Sequence, residues 1–382
     1  MIGAIGINLR RLRKMRRMTQ GRLAELAGIS RVAYRNLETG ASEPRRATLE
    51  ALADALDVPV FDIVAEVPVL RALRFRLRKA MTAAERAERE QIAVDVARWL
   101  EDFNEIEEIV GERMQWNLPD SLRDIADPVG AAGGARSALG LGPEDCINDI
   151  SGLFERAGIK ILMLESSLRT FFGLSVGRED GGPAIAVNSA RSIPVERQIF
   201  TAAHELGHLL LHKESYVSDQ VVEDPGQERQ ADIFAGHFLM PREHFERVWS
   251  ESRGLSWVDS VLRIKRLFNV SYKTVLHRLI DEEIADGSIF SMFIKSYNER
   301  HDRRLEFREE PEAYLTAREE PSLLDRADFV EDRLSRLVMK AVEENMISMS
   351  RGAEILGMSV SELRERVAEW GMFGRPDAPV RE

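Results

Sequence analysis

The stretch Phe200-Thr-Ala-Ala-His204-Glu205-Leu-Gly-His208-Leu-Leu-Leu-His212 carries two histidines four residues apart inside an apolar run. Residues with this spacing lie one above the other on one face of an α-helix, so both imidazoles project from the same side. Two imidazoles in this arrangement can bind one Zn²⁺, and the glutamate between them is placed to act on a metal-bound water. The sequence therefore predicts a helix with His204 and His208 as metal ligands and Glu205 as the catalytic residue.

A second pair of side chains with the same spacing follows in Glu228-Arg-Gln-Ala-Asp232. Residues 227–239 predict another helix, which ends before a proline. Glu228 is expected to be the third protein ligand of a catalytic zinc site, whose fourth position stays open. Asp232 is expected to accept the outer N–H of a ligating histidine and fix its orientation. Burial favours a true site over a chance match, because buried histidines and carboxylates without partners are costly.

Three neighbouring side chains are left out of the predicted site. His212 lies four residues after His208 and is a competing ligand, but it is interpreted as a histidine at the end of a helix, where the helix dipole favours it. His237 lies nine residues after Glu228, half a helical turn out of phase with it. Tyr216 is interpreted as a loop residue, and no oxyanion donor is predicted.

The motif HELGHLLLH at 204–212, followed by ERQADIFAGHFLMP at 228–241, resembles the ImmA/IrrE family of bacterial metallopeptidases and, more widely, the gluzincins. The resemblance extends upstream through residues 127–141 and 147–159, and it covers about residues 121 to 290. It implies a zincin-like α+β fold and a zinc endopeptidase that often acts on a transcriptional repressor. Mn²⁺ is an alternative to Zn²⁺, since the same ligands accept it.

Three segments in the same region are typical of short β-strands: residues 159–164, 171–176 and 184–187. Asp180-Gly-Gly-Pro183 predicts a turn between the last two. We expect the edge of this small sheet, beside the metal cleft, to hold an extended peptide by strand addition.

Residues 7 to 65 give an independent signal. Four or five short helical segments, with Gly28 between the second and the third, are typical of a helix-turn-helix. Thr19 and Ser30 are placed to cap the second and third helices. The segment resembles the XRE (Cro/repressor-type) family, which implies that residues 30–37 form the recognition helix. The residues expected to contact DNA are Gln20, Ser30, Arg31, Val32 and Arg35.

The charge of the chain is unevenly distributed. Residues 1–80 hold 16 Lys and Arg against 8 Asp and Glu, a net charge of +8, whereas the other 302 residues hold 37 and 56, a net charge of −19. A basic head on an acidic body indicates that the head binds DNA. Arg10, Arg11 and Arg13 are therefore further candidates for phosphate or base-edge contacts, and Leu26 is expected in the core of the head.

Length and composition predict a multidomain, mainly α-helical protein of the cytoplasm. The 382 residues include one cysteine, Cys146, no run of 18 apolar residues and no signal-peptide pattern at the amino terminus. These features exclude an internal disulfide and argue against a membrane partner. We divide the chain into a DNA-binding domain (1–66), a helical connector (67–120), a metallopeptidase domain (121–290) and a charged segment with a helical region (291–382).

The connector is expected to contain a long helix that begins at a capping box, Thr82-Ala-Ala-Glu85, and reaches about Trp116. Its apolar residues recur at spacings of four and three and are Ile92, Val96, Trp99, Phe103, Ile106 and Val110. This stripe has two equally supported interpretations. It is either the seam of a homodimer, which would place two heads on a near-palindromic DNA site, or a face that packs against the chain's own body.

Beyond residue 291 the resemblance fades. Residues 298–320 are heavily charged and are expected to be solvated, whereas residues 330–345, 349–356 and 360–371 predict three helices. The last two helices have the spacing of a second helix-turn-helix. The glutamates around them favour a packing or dimerisation role instead.

Two functions agree with these patterns. The first is a DNA-binding transcriptional regulator with a zinc-dependent endopeptidase domain that hydrolyses a peptide bond in a partner regulator, for example a repressor. The alternative is a metal- or ligand-responsive transcription factor, or an antitoxin, without proteolytic activity. The expected partners are double-stranded DNA, a protein substrate and a second copy of the chain.

Overall fold

The computed structural model describes residues 4–16, 18–66, 70, 73–75, 82–125, 127–168, 170–216, 224–302, 304–306, 310–311, 324, 329 and 332–372. The chain forms two compact units. The first comprises Met1–Arg71, Leu77–Glu101 and Leu168–Thr170, and the second comprises Ala72–Arg76, Asp102–Ser167 and Phe171–Glu382. Helices predominate in both, so the predicted multidomain, mainly α-helical class is confirmed.

The described residues up to 66 form short helices: α1 (Ala4–Met15), α2 (Gln20–Leu26), α3 (Arg31–Glu38), α4 (Arg46–Leu56) and α5 (Val60–Val64). The predicted caps are confirmed, because the hydroxyls of Thr19 and Ser30 each accept a backbone N–H at 3.1 Å. Gly28, between α2 and α3, has φ +66°, a conformation that favours glycine. These features form the predicted helix-turn-helix.

The core of this head consists of leucines, alanines and one tyrosine from the segments of α1 to α4, together with Ile63 of α5. Leu23 is fully buried, and Ala27 is 7% exposed. Leu26, by contrast, is 45% exposed, so its predicted place in the core is wrong. The reason is that Leu23 and Ala27, four residues apart, already form the buried stripe of this short helix.

The connector contains the helix α6 (Ala83–Val110). Its capping box is confirmed, since the backbone N–H of Thr82 donates to Glu85 Oε2 at 2.7 Å and that of Glu85 donates to Thr82 Oγ1 at 3.2 Å. The helix ends before the predicted Trp116, because Gly111 has φ +70° and leaves the helical conformation.

The apolar stripe of α6 is largely covered by the chain itself. Ile92 is 3% exposed, and Val96, Phe103 and Ile106 are fully buried. The structure thus supports the second interpretation of the stripe, packing within the chain. The homodimer stays a prediction to which this stripe gives no support.

A small mixed sheet lies in the second unit. Its described strands are β1 (Leu73–Phe75), β2 (Lys160–Leu164), β3 (Gly173–Val176) and β4 (Ala184–Asn188). Their order is β1-β3-β4-β2, with β4 parallel to β2 and antiparallel to β3, and with β3 antiparallel to β1. The three predicted strands are confirmed as β2, β3 and β4, whereas β1 was not predicted.

Eight described α-helices between residues 128 and 301 follow in the same unit. They are α7 (Pro128–Ala138), α8 (Ile150–Arg156), α9 (Val195–Leu211), α10 (Pro225–Leu239), α11 (Arg242–Glu251), α12 (Trp257–Leu267), α13 (Tyr272–Asp281) and α14 (Ile289–His301). One hydrophobic core joins them to the sheet. Helix α8 packs against β2, and helix α9 packs against β3 and β4 on one side and against α10 on the other. The unit is therefore α+β, as predicted.

The predicted carboxyl-terminal helices are confirmed as α15 (Arg333–Glu343), α16 (Met349–Ile355) and α17 (Val360–Met372). They form ion pairs with the last turns of α6 and the residues after it, including Arg351 with Asp102 at 2.6 Å and Lys340 with Glu112 at 2.6 Å. Basic side chains of these helices are thus used within the chain, which supports the packing role.

The charged segment 298–320 is only partly described. Leu305 is 4% exposed, and the side chain of Glu310 is 12% exposed with Lys265 at 3.5 Å. Burial raises the pKa of Glu310 to about 7. The expectation that the segment is solvated is therefore wrong at these two positions, and residues 303, 307–309 and 312–320 lie outside the described part.

The close approach of α9 to α10 depends on Gly207. A Cβ atom at Gly207 would lie 3.0 Å from Phe234 Cδ1, so a larger side chain must push α10 away. We expect Gly207→Val to lower the free energy of unfolding of the second unit by about 1–3 kcal/mol. In Gly236→Ala, the control in α10, the new Cβ would meet no atom within 4 Å, and a slight gain in stability is expected. Urea unfolding checks both, and an unchanged midpoint for Gly207→Val contradicts the expectation.

Candidate metal centre and nucleic-acid interface

Helices α9 and α10 bring three predicted side chains to one point. His204 Nε2 and His208 Nε2 are 2.9 Å apart on one face of α9. The carboxylate of Glu228, in the first turn of α10, lies 3.4 Å from His204 Nε2 and 3.2 Å from His208 Nε2. One ligand atom from each side chain fits within a span of 4.8 Å. The three side chains are therefore close enough together to bind one metal ion.

The outer nitrogens of both imidazoles have partners that fix their tautomers. His204 Nδ1 lies 2.8 Å from Asp232 Oδ1, and a carboxylate at this distance favours a proton on Nδ1. His208 Nδ1 lies 2.8 Å from His212 Nδ1, and His212 Nε2 lies 2.9 Å from Gln230 Oε1. Because neutral His212 donates from Nε2, its Nδ1 accepts the proton of His208. Both Nε2 atoms, of His204 and His208, therefore carry lone pairs directed at the same point.

These residues fit a divalent metal ion. Ligands about 2.1 Å from one tetrahedral ion lie about 3.4 Å apart, close to the separations found here. Burial lowers the pKa of His208 well below its usual value, although the nearby carboxylate of Glu228 opposes this. Burial alone would raise the pKa of Glu228, but its contacts with the rings of His204 and His208 outweigh burial and lower the pKa. Neutral imidazoles and an ionised carboxylate are the forms that bind a metal.

Glu205 lies beside this cluster and is held by β3. Its Oε2 accepts a hydrogen bond from Ser175 Oγ at 2.6 Å, and Ser175 Oγ lies 2.7 Å from the hydroxyl of Tyr216. Tyr216 is 4% exposed, so its interpretation as a plain loop residue is wrong. A Cβ at Gly173 would lie 2.5 Å from Thr201 Cγ2, which shows how closely β3 approaches α9. A buried carboxylate is thus fixed next to the three candidate ligands.

Several side chains around the cluster were missed from the sequence. Arg74 of β1 donates to Glu228 Oε1 at 3.2 Å and also to Gln227, and its side chain is 3% exposed. A signal for β1 was available, because Leu73-Arg-Phe-Arg-Leu-Arg78 alternates apolar and basic residues as a strand does. No feature of the sequence marked Ser175, which lies within an apolar strand, as a residue near the site.

His212 and His237, which were left out of the predicted metal site, both lie outside the three-residue cluster but differ in their contacts with it. His212 ends α9, as predicted, and it is not among the three residues that could share an ion in the described part of the chain. Its contact with His208 was not foreseen, although the four-residue spacing between them indicated it. His237 also lies outside the cluster, and burial lowers its pKa to about 4.

Helix α3 presents the predicted DNA-reading side chains to solvent. Arg31, Val32 and Arg35 are exposed, and Val32 reaches 59% exposure. The hydroxyl of Ser30 is used by the cap of α3, and Gln20 is half-buried at the start of α2. The contacts of these five residues with DNA stay predictions.

The basic residues of α1 are used differently from the prediction. Arg11 is 3% exposed and donates to the side chain of Asn8 at 3.1 Å. Arg13 donates twice to the carboxylate of Glu38, at 3.0 and 2.9 Å, and Arg10 donates to it once, at 3.3 Å. The prediction that Arg11 and Arg13 contact DNA is therefore wrong, because their guanidinium groups satisfy buried acceptors inside the head.

The helix-turn-helix head and the His–His–Glu cluster define a class of protein, in which a DNA-binding domain and a metallopeptidase-type domain share one chain. Comparison with known families agrees with this class. Residues 9–63 match the family described as helix-turn-helix, and residues 154–280 match the IrrE N-terminal-like domain, peptidase M78. The chain thus contains an XRE-type helix-turn-helix domain and an IrrE/ImmA-like peptidase domain, and the peptidase M78 family is typically metal-dependent.

The chain is also similar to the immunity repressor protein of Bacillus phage phi105, with 37% identity over 67 residues. The match covers 18% of this chain and 46% of that repressor, so it spans about half the length of the relative. Among the described residues, none of the helices combines the length and the apolar character needed to cross a membrane.

The Glu38 carboxylate is expected to stabilise the head. Burial raises its pKa, but the hydrogen bond and charge of Arg13 outweigh burial and lower it. We expect Glu38→Gln to lower the free energy of unfolding by about 1–3 kcal/mol at pH 7. Since the folded pKa is depressed, the contribution of Glu38 is present above its unfolded pKa and is lost as pH falls through the folded value.

Urea unfolding at pH 7 and at lower pH checks this expectation, with Glu50→Gln as the control. Glu50 pairs with Arg46 on the surface of α4, where the Arg46 side chain is 92% exposed, so removing the charge of Glu50 should change stability very little. Equal losses for the two variants contradict the expectation. So does a loss for Glu38→Gln that grows as the solution is acidified.

Proposed function

We propose that the protein is a DNA-binding transcriptional regulator whose second unit is a zinc-dependent endopeptidase that hydrolyses a peptide bond in a partner regulator. The observation that carries this proposal is the convergence of the His204 and His208 Nε2 lone pairs with the carboxylate of Glu228. The match to the peptidase M78 domain supports it. We keep 1–66 and 121–290 as the proposed DNA-binding and peptidase domains.

The proposed roles follow from the geometry. His204, His208 and Glu228 would hold the ion, which when bound would lower the pKa of a water molecule and polarise the peptide carbonyl. Mn²⁺ suits the same ligands. The carboxylate of Glu205, held by Ser175, accepts the proton of the attacking water and passes it to the nitrogen of the leaving amine. Burial of Glu205, which is 1% exposed, keeps bulk water from competing for that proton.

Glu205→Gln tests the catalytic role. The variant should keep the metal, because Glu205 is not a ligand, and it should lose hydrolysis by a factor of about 10² to 10⁴. The measurement combines metal analysis of the purified chain with cleavage of candidate repressors on a denaturing gel. His204→Ala, as the companion variant, should lose both metal and hydrolysis. Undiminished cleavage by Glu205→Gln refutes the assigned role.

The outer partners of the histidines should affect metal affinity. Asp232→Ala and His212→Ala each remove an acceptor that holds a ligating imidazole in the required tautomer, so the metal should bind about 10–100-fold more weakly. Competition with a fluorescent chelator measures the affinity. His277→Ala changes an exposed histidine of α13 and should leave the affinity as it is. Equal affinity of all three variants contradicts the tautomer argument.

A regulator without proteolysis is the second candidate function, either a metal- or ligand-responsive transcription factor or an antitoxin. The similarity to a protein named an immunity repressor favours this candidate. The two functions differ in one result. If DNA affinity changes with the metal while no protein is cut in its presence, the second candidate is correct.

The DNA-reading helix is tested by Arg35→Ala. We expect its affinity for a selected operator to fall by about 1–3 kcal/mol if Arg35 reads a base, with relaxed specificity at one base pair. A phosphate contact would instead weaken binding to all sequences equally and reduce the salt dependence. Arg178→Ala removes the same charge from the second unit and should bind DNA as the parent does. An Arg35→Ala variant with parental affinity removes this residue from the interface.

A further inference from the structure

The outer edge of β3 is the sheet edge next to the candidate metal centre. Ser175 of β3 touches Glu205, and Gly173 packs directly against α9 through Thr201. An extended peptide that added a strand to this edge would run alongside Glu205 and the three candidate ligands. Strand addition gives such a peptide its affinity through main-chain hydrogen bonds.

Residues of this chain already fill that edge. Strand β1 pairs antiparallel with β3, and its partners are Leu73 with Val176, Arg74 with Ser175 and Phe75 with Leu174. Directly paired residues lie on the same face of a sheet. Arg74 is therefore on the face that carries Ser175, toward Glu205 and α10.

The origin of β1 in the sequence is unusual. Its residues Leu73–Phe75 group with the second unit, whereas the described residues before them in the chain and those from 82 to 101 group with the first. This short piece of the connector is thus part of the peptidase-type unit. The alternating sequence of residues 73–78 suits a strand of this kind.

Arg74 also engages a candidate ligand. Its Nη2 lies 3.2 Å from Glu228 Oε1, the same oxygen that lies 3.2 Å from His208 Nε2. Arg74 is only 2% exposed, so its charge is weakly screened. A guanidinium at this place competes with a divalent cation for the carboxylate, and its positive charge repels the cation.

We propose that β1 is an intramolecular occupant of the peptide-binding edge. Substrates are extended peptides that pair antiparallel with β3, and they bind only when β1 leaves that edge. While β1 is in place, Arg74 weakens the hold of Glu228 on the metal. The consequence for hydrolysis rests on the proposed peptidase function, but the occupancy itself is measurable without hydrolysis.

The first test uses the full chain and two readouts that need no activity. In Arg74→Ala, Zn²⁺ should bind about tenfold more tightly in chelator competition. The amide hydrogens of residues 173–176 should exchange about tenfold faster, while those of β2 keep their protection. Arg178→Ala is the charge-matched control, and Arg74→Gln is measured in parallel so that a folding defect in one variant does not decide the result. Parental metal affinity and exchange in both Arg74 variants overturn the proposal.

The second test supplies the strand in trans. The probe is a fluorescent peptide with the sequence of residues 70–79, Leu-Arg-Ala-Leu-Arg-Phe-Arg-Leu-Arg-Lys, and a scrambled peptide of the same composition controls for its charge. In a Glu205→Gln background, the added variant Arg74→Pro removes a β1 N–H and should free the edge. It should bind the probe about tenfold more tightly than the background alone, and more tightly than it binds the scrambled peptide.

The outcomes separate this proposal from the proposed function. Equal binding of probe and scrambled peptide, or equal affinity with and without Arg74→Pro, overturns the occupancy of the edge whatever hydrolysis shows. The expected binding pattern together with no hydrolysis by any metal-loaded variant refutes the peptidase and supports the occupancy. Faster hydrolysis of the probe by Arg74→Ala than by Arg178→Ala supports both.

Discussion

The second unit depends on one electrostatic constraint: two imidazole lone pairs and a carboxylate converge in a buried space. Without a cation, such a cluster combines repulsion with the loss of water around polar groups. Asp232 and His212 maintain the constraint, because each lies 2.8 Å from the outer nitrogen of a ligating ring and so favours a proton there and the lone pair on the inner nitrogen. The packing of α9 and α10, which carry the cluster, offsets the free-energy cost of bringing these polar groups together.

That packing explains the placement of α9. The helix is buried along nearly its whole length, between β3 and β4 on one side and α10 on the other. Two glycines permit the close approach, Gly173 on the sheet side and Gly207 on the α10 side. Glu205 thereby reaches Ser175, and Glu228 reaches the histidines. Because the two glycines have no side chain, they set the distances between the polar residues of α9 and those of β3 and α10.

The sequence predicted those parts of the structure that depend on local spacing. Four-residue intervals placed His204, His208, Glu228 and Asp232 correctly on two helix faces, and the apolar runs predicted β2 to β4. What depends on distant partners was missed. The use of Arg13 is decided by Glu38, 25 residues away, and that of Arg74 by Glu228, 154 residues away. The spacing of apolar residues in α6 showed that one face of the helix is buried. Spacing alone cannot tell which part of a protein covers that face.

The shared use of Glu228 gives the second unit a physical basis for two states. One oxygen of this carboxylate faces both His208 and Arg74, so a guanidinium and a divalent cation draw on the same negative charge. A ligand shifts an equilibrium only through a difference in affinity between the two states. A metal ion favours the state in which Arg74 has withdrawn, and an extended peptide favours the state in which β1 has left β3. Metal and peptide therefore favour the same change, and each is expected to strengthen the binding of the other.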